Sequence, residues 1–196
     1  MSGHIIIFDD ENFEILIREI LRKPTGDLTQ SDLENITNLD TRNRVINNIY
    51  PLRYMTNLRT LYFGVNTVND INALQGLINL TELTLSNNAI SDINALQELT
   101  NLRSLRLNGN QISDISVLQG LTNLRSLYLH NNQISDISVL EGLTNLTTLW
   151  LHNNKINDVN VLQGLMNLRS LWLFGNPIDD SDRQALRAAL PDTIIQ

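Results

Sequence analysis

The dipeptide Asn-Leu recurs at Asn57-Leu58, Asn79-Leu80, Asn101-Leu102, Asn123-Leu124, Asn145-Leu146 and Asn167-Leu168, each copy 22 residues after the one before. A fixed period in this range takes precedence over any local reading, because it means that one supersecondary unit is repeated and must bury its apolar face against its neighbours. The unit from Leu124 to Asn145 reads L-x-x-L-x-L-x-x-N-x-I-x-D-I-x-x-L-x-G-L-x-N. Its apolar positions Leu127, Leu129, Ile134, Ile137, Leu140 and Leu143 recur in residues 58–79, 80–101, 102–123 and 146–167. A degraded first copy runs through Ile36, Leu39, Ile46, Ile49, Leu52 and Met55, with Thr41 where Leu is expected and Arg44 where Asn is expected; an incomplete last copy begins at Leu168.

The L-x-x-L-x-L spacing is that of a leucine-rich repeat, and its middle alternates inward Leu with outward polar residues as a short strand should. The rest of each unit is too short for a full helix and crossover, so it is expected to pack as 3₁₀-like turns. Stacking then predicts a leucine-rich repeat solenoid of the α/β class, with a parallel sheet on the concave face and 3₁₀ turns on the convex face. Helical caps are expected at both ends. The division expected is an N-terminal helical cap over residues 1–35, seven repeats over 36–179, and a C-terminal cap helix with tail over 180–196, forming one continuous domain.

Two asparagine columns and one aspartate column punctuate the coils. Asn66, Asn88, Asn110, Asn132, Asn154 and Asn176 fall where each strand turns away, where an inward amide can satisfy backbone groups and bridge to the next coil. Asn35 through Asn167 precede the strands and are expected to serve the opposite corner. Asp70, Asp92, Asp114, Asp136 and Asp158 are expected to cap the convex turns. At the N-terminus, Asp9 or Asp10 can cap a helix presenting Phe13, Leu16 or Ile17, Ile20 and Leu21; Pro24-Thr25-Gly26 breaks it, and Thr29-x-x-Asp32 opens a second. At the other end, Asp180 or Ser181 is expected to cap a helix through Leu186 and Leu190, after which Ile194 and Ile195 add a covering strand.

Composition narrows function. With 42% hydrophobic and 18% charged residues among 196, disorder and low-complexity classes are excluded, and the absence of cysteine removes disulfides, thiolate metal sites and cysteine nucleophiles. A net charge of −7 argues against a nucleic-acid partner, and no apolar run approaches the ~20 residues of a membrane span. No nucleophile elbow, phosphate loop or carboxylate pair in a pocket is visible, so no enzyme activity and no cofactor are expected.

The 22-residue repeat with its Ser/Asn-Asp-Ile/Val turn, together with the segment from Phe13 to Thr29, resembles the bacterial internalin-type leucine-rich-repeat family. The resemblance implies a concave sheet that grips a protein, at the cell surface. Taken by itself as a complete chain without a secretion signal, the sequence would instead imply the cytoplasm.

Positions three, five, seven and eight of each unit point away from the core. Position five gives Asp40, Tyr62, Thr84, Arg106, Tyr128, Trp150 and Trp172; position seven gives Arg42, Gly64, Ser86, Asn108, His130, His152 and Phe174. Large rings thus concentrate on the last three strands, in columns where folding does not require them. Exposed Trp, Tyr and Arg are the residues that dominate interface energies. The expected partner-binding residues are Tyr128, Trp150, Trp172, Phe174, His130, His152, Arg106 and Tyr62. The partner class expected is a protein or peptide; a glycan on the tryptophans, or a homodimer through the same patch, are the alternatives. Trp→Ala changes at the patch are expected to leave stability within ~0.5 kcal/mol. No metal is expected at His130 and His152, because adjoining outward positions offer no carboxylate. Their proximity suggests that binding weakens between pH 7.5 and 5.5 as both protonate.

Overall fold

The structure, a computed structural model, describes residues 4–42 and 44–196. Seven three-residue strands come one per coil: β1 (Asn38–Asp40), β2 (Thr60–Tyr62), β3 (Glu82–Thr84), β4 (Ser104–Arg106), β5 (Ser126–Tyr128), β6 (Thr148–Trp150) and β7 (Ser170–Trp172). An eighth, β8 (Ile194–Ile195), follows the C-terminal helix, and the sheet order is β1 to β8 in sequence, all parallel. Every neighbour pair from β1 to β7 is in register at a 22-residue offset, as Leu105 opposite Leu127 and Leu127 opposite Leu149. The sheet is the concave face of an open leucine-rich-repeat solenoid.

The strands are short because the buried leucines that turn inward at either end, such as Leu124 and Leu129 around β5, are only five positions apart. In the unit from Leu124, the residues Leu124, Leu127, Leu129, Ile134, Ile137, Leu140 and Leu143 are all at most 2% exposed. Each fully buried Leu or Ile contributes about 1.5–3 kcal/mol of apolar transfer, and truncating one costs ~2–5 kcal/mol with the cavity it leaves. The convex side closes with 3₁₀ turns such as Ser116–Gly120, Ser138–Gly142 and Asn160–Gly164.

The asparagine columns staple coil to coil. Asn132 accepts from the Ile112 amide at 3.0 Å and donates to the carbonyls of Leu107 and Leu129, both at 3.0 Å. Asn154 and Asn176 repeat the pattern one and two coils on. At the opposite corner Asn79, Asn101, Asn123, Asn145 and Asn167 each donate to a carbonyl of the preceding coil at 2.8–2.9 Å. The aspartates cap from one residue earlier than a standard N-cap. Asp114 Oδ1 accepts from the Ser116 amide at 2.8 Å, while Ile115 occupies the cap position itself.

At the N-terminus α1 (Glu11–Leu21) is capped by Asp10, which accepts from Phe13 and, through its other oxygen, from the amides of Asn47 and Asn48 in the first coil. One carboxylate thus starts the helix and ties it to the stack. The helix buries Phe13, Leu16 and Ile17, whereas Ile20 is exposed and Leu21 half-buried, so the buried stripe is narrower than the periodicity predicts. The second helix, α2 (Gln30–Glu34), carries a capping box between Thr29 and Asp32. Thr41, in the place of a core Leu, is fully buried and its hydroxyl bonds to the Tyr62 carbonyl. Arg44, in the place of Asn, pairs with Glu19 of α1 at 2.9 Å. The C-terminal α3 (Asp180–Ala189) begins after Asp179, not after Asp180 or Ser181, and lays Leu186 and Leu190 over the last coil. No helix among the described residues is long and apolar enough to cross a membrane.

Candidate functional site

Because the strands pair without slip, each outward residue stands beside the one 22 positions on, roughly 4.8 Å away. Arg106 faces Tyr128, Tyr128 faces Trp150, and Trp150 faces Trp172. The rings use that spacing. Tyr128 meets Trp150 edge to face at 5.0 Å and 82°, while Trp150 and Trp172 stack at 4.0 Å and 6°. The Arg106 guanidinium lies 4.0 Å over the Tyr128 ring, a cation–π contact that continues the column onto β4. In the next column His130, His152 and Phe174 stack at 4.2 and 4.4 Å. The columns also touch crosswise, Trp150 to His130 at 5.7 Å and Trp172 to His152 at 5.4 Å.

None of these rings belongs to the leucine core. Tyr128, Trp150, Trp172 and His130 are half-buried, Phe174 is 43% exposed, and Arg106 is exposed. His152 differs from the expectation: it is only 7% exposed, wedged between His130 and Phe174, so it supports the surface more than it forms it. The stacking also revises the expectation for stability. Trp150 touches Tyr128, His130, His152 and Trp172, and its indole N–H donates to Ser170 Oγ at 3.2 Å. Aromatic pairs add about 0.5–1.5 kcal/mol each beyond area burial, so its loss is felt by the fold as well.

Burial pushes the His130 imidazole down to about 4, helped by His152 and Arg106 nearby, and burial lowers His152 as well. The Nδ1 atoms of both rings are buried without a hydrogen-bond partner. His130 is therefore neutral between pH 7.5 and 5.5, so the two rings do not both become charged in that window and the expected weakening does not follow. Nor are they a chelating pair. Imidazole lone pairs lie in the ring plane, and planes only 13° apart share no point at bonding distance from both.

Tyr62 is not brought to the ladder. It stands three strands away on β2, roughly 14 Å at the strand spacing, and its hydroxyl donates to Glu82 at 2.7 Å, which raises its pKa. Arg42 lies over its ring at 5.2 Å and pairs with Asp40 at 2.6 Å, which holds the Asp40 carboxyl below its usual range. Charges and hydroxyls at this end satisfy one another.

A further outward column lies at position two, just before each strand: Arg59, Arg103, Arg125 and Arg169, all exposed, with Thr81 and Thr147 between. It falls outside positions three, five, seven and eight, but its signal is in the sequence, as Arg at spacings of 22 and 44.

The coil, its buried leucines and its amide staples define a leucine-rich-repeat protein, and three stretches, residues 56–98, 100–142 and 144–187, match the family described as Leucine Rich repeats (2 copies). Among solved structures the chain is similar to an internalin, InlF, from Listeria monocytogenes, with 39% identity over 96% of this chain and 56% of that one and a TM-score of 0.90. It is similar to internalin C2 of the same organism with 34% identity over 100% of this chain and 87% of that one, TM-score 0.91. A leucine-rich-repeat protein of Leptospira interrogans, 24% identical over 75% of this chain and 45% of that one at a TM-score of 0.66, shares the fold. A comparison with curated proteins returned no match. The chain belongs to the internalin-type leucine-rich-repeat family, and it spans about half the length of InlF. That family is one of protein-interaction modules, typically without enzymatic activity.

Proposed function

We propose that this protein is a non-enzymatic recognition module that holds a protein or peptide partner in its concavity, with the ring-bearing surface of β5 to β7 carrying most of the affinity. The observation that carries the reading is the pair of stacked ring columns. The fold builds the same coil on β3 and β4 with Thr84, Ser86 and Asn108 at equivalent places, so the coil itself does not call for rings there. Tyr128, Trp150, Trp172, Phe174 and His130 would make the contact, Arg106 would border it, and His152 would hold it in shape. Tyr62 would contact only a partner long enough to reach β2.

The stacking weighs against a glycan as occupant. Sugars pack on open indole faces, whereas Trp150 and Trp172 spend one face each on the other and Trp150 also receives the Tyr128 ring. The test is a paired array of secreted and cell-surface proteins and of glycans, probed with wild type and Trp172→Ala. Expected is a protein signal insensitive to free sugar and lost in the variant. Glycan binding abolished by free sugar would overturn the proposal. So would light scattering that finds a wild-type dimer converted to monomer by Trp172→Ala.

A further inference from the structure

Charge on this molecule is segregated across the coil. From Leu102 to Asn176 the carboxylates are Asp114, Asp136, Glu141 and Asp158, all on the turn side, and three of them are committed to the amides of Ser116, Ser138 and Asn160. The strand side of the same stretch carries Arg103, Arg106, Arg125 and Arg169 and no carboxylate. The four ion pairs among the described residues lie between residues 14 and 44, so none engages these arginines. Among the described residues the Arg169 guanidinium donates only to the carbonyl of Leu168, and Arg106 rests on Tyr128.

Arg103 and Arg125 are direct neighbours, the Arg125 amide donating to the Arg103 carbonyl at 2.9 Å. Like charges side by side on adjacent strands are unfavourable unless an anion lies against them. A chain of net charge −7 should attract basic ligands at long range, yet this surface is built for the opposite sign. The row lies three positions before the ring column on each coil, roughly 10 Å along the chain, so an extended peptide held on Trp150 and Trp172 can reach it.

Resting on the concave-face reading above, we infer that the partner docks through an acidic segment, whose Asp and Glu side chains pair with Arg103, Arg125 and Arg169 while its apolar residues cover the rings. Guanidinium forks match carboxylates two bonds at a time, which would give the docked segment its register. A second copy of this chain does not fit, because an isologous contact on this face would bring the same unpaired guanidinium groups together.

The test is selection of random dodecapeptides displayed on phage against immobilised full-length protein, with three baits: wild type, Arg103→Glu/Arg125→Glu/Arg169→Glu, and Trp150→Ala/Trp172→Ala. The arginines are exposed, so the triple variant should melt with wild type. Expected is a wild-type pool shifted to net negative charge, a triple-variant pool shifted to positive, and a synthetic wild-type winner bound about tenfold more weakly by the triple variant. A neutral or basic wild-type pool, no enrichment over bare matrix, or the same acidic pool from the triple variant would overturn the inference. So would stronger displacement of the winner by heparin or oligothymidylate than by an acidic peptide, which would mark general polyanion binding. The third bait separates the two claims. An acidic pool that persists without the tryptophans sinks the ring surface and leaves the arginine row. Loss of enrichment there, with an unchanged pool from the triple variant, does the reverse.

Discussion

The two halves of the concave sheet stand on one scaffold and differ almost only in what they hold up to solvent. Under both, the leucines are equally buried, and Asn88 in one half and Asn154 in the other make the same three ties, accepting from one amide and donating to two carbonyls. Above, β1 to β3 carry groups already paired with one another, Asp40 with Arg42 and Tyr62 with Glu82. Strands β5 to β7 carry rings stacked on one another, with Arg106 over Tyr128 at their border and arginines nearby that make no ion pair among the described residues. The lesson is that a solenoid separates what holds it together from what it presents, because neighbouring coils make the core and the outward columns are free.

If that separation is right, the largest effect of any single polar substitution should be blind to which half it strikes. Asn88→Ala and Asn154→Ala should each cost about 3 kcal/mol, since each strands two carbonyls and one amide beside the core. Urea melts of the two variants would check it. A difference between them as large as the effect itself would break the uniform-scaffold side of the comparison.

Next in size is Trp150→Ala, which should weaken partner binding by about 2 kcal/mol and the fold by about 1 to 2 kcal/mol, because the indole does both jobs. Tyr62→Ala, in the self-paired half, should change binding by less than about 0.5 kcal/mol. Isothermal titration with the same ligand would rank them, and equal losses would erase the distinction between halves.

A smaller effect, of opposite sign, is expected at Val65. In the coils that carry β2 to β7, position eight takes a left-handed backbone, supplied by Asn87, Gly109, Asn131, Asn153 and Gly175, yet Val65 sits there at φ 57° and 59% exposed. A β-branched residue in that region is strained by roughly 1 kcal/mol or more. Val65→Asn should raise stability by about 1 kcal/mol in the same melts. If it also weakens partner binding, the strain is retained for contact and the polar half takes part after all. At Gly109 the same exchange requires the Asn87 amide to turn aside, because a Cβ there would meet its side-chain oxygen.

The period alone made most of this legible. With parallel strands in perfect register, a residue's neighbours are simply those 22 positions away, so the ring columns and the arginine row can both be written from the sequence. Side-chain torsions cannot. That Trp150 lies flat on Trp172, and that His152 vanishes between His130 and Phe174, depends on χ angles chosen collectively by six side chains. The aspartate column was legible as capping, but not its reach: Asp114 serves the amide two residues on, so its column lies one place ahead of the cap position. The degenerate first coil was the hardest, since Thr41 and Arg44 keep their places through bonds to Tyr62 and Glu19 that no repeat pattern encodes.

The gentlest test of the two halves is titration, because each responds in its own pH window. His130 titrates near 6.5 when unfolded and about 4 when folded, so between those values the unfolded chain holds more protons. Stability should therefore be full above pH 6.5, decline as pH falls toward 4, and stop declining on this account below it. Asp40, lowered by its bonds to Arg42, contributes stability above the ordinary carboxylate range that is lost only as pH falls through its depressed value. Melting temperature followed from pH 8 to pH 3 should then show a first limb belonging to the ring half and a second belonging to carboxylates. His130→Asn, which installs the residue found one coil earlier at Asn108, should flatten the first limb and spare the second. Partner affinity should be level from pH 7.5 to 5.5. A first limb that survives in a His130→Asn/His152→Asn double variant would show that the imidazoles are not its source.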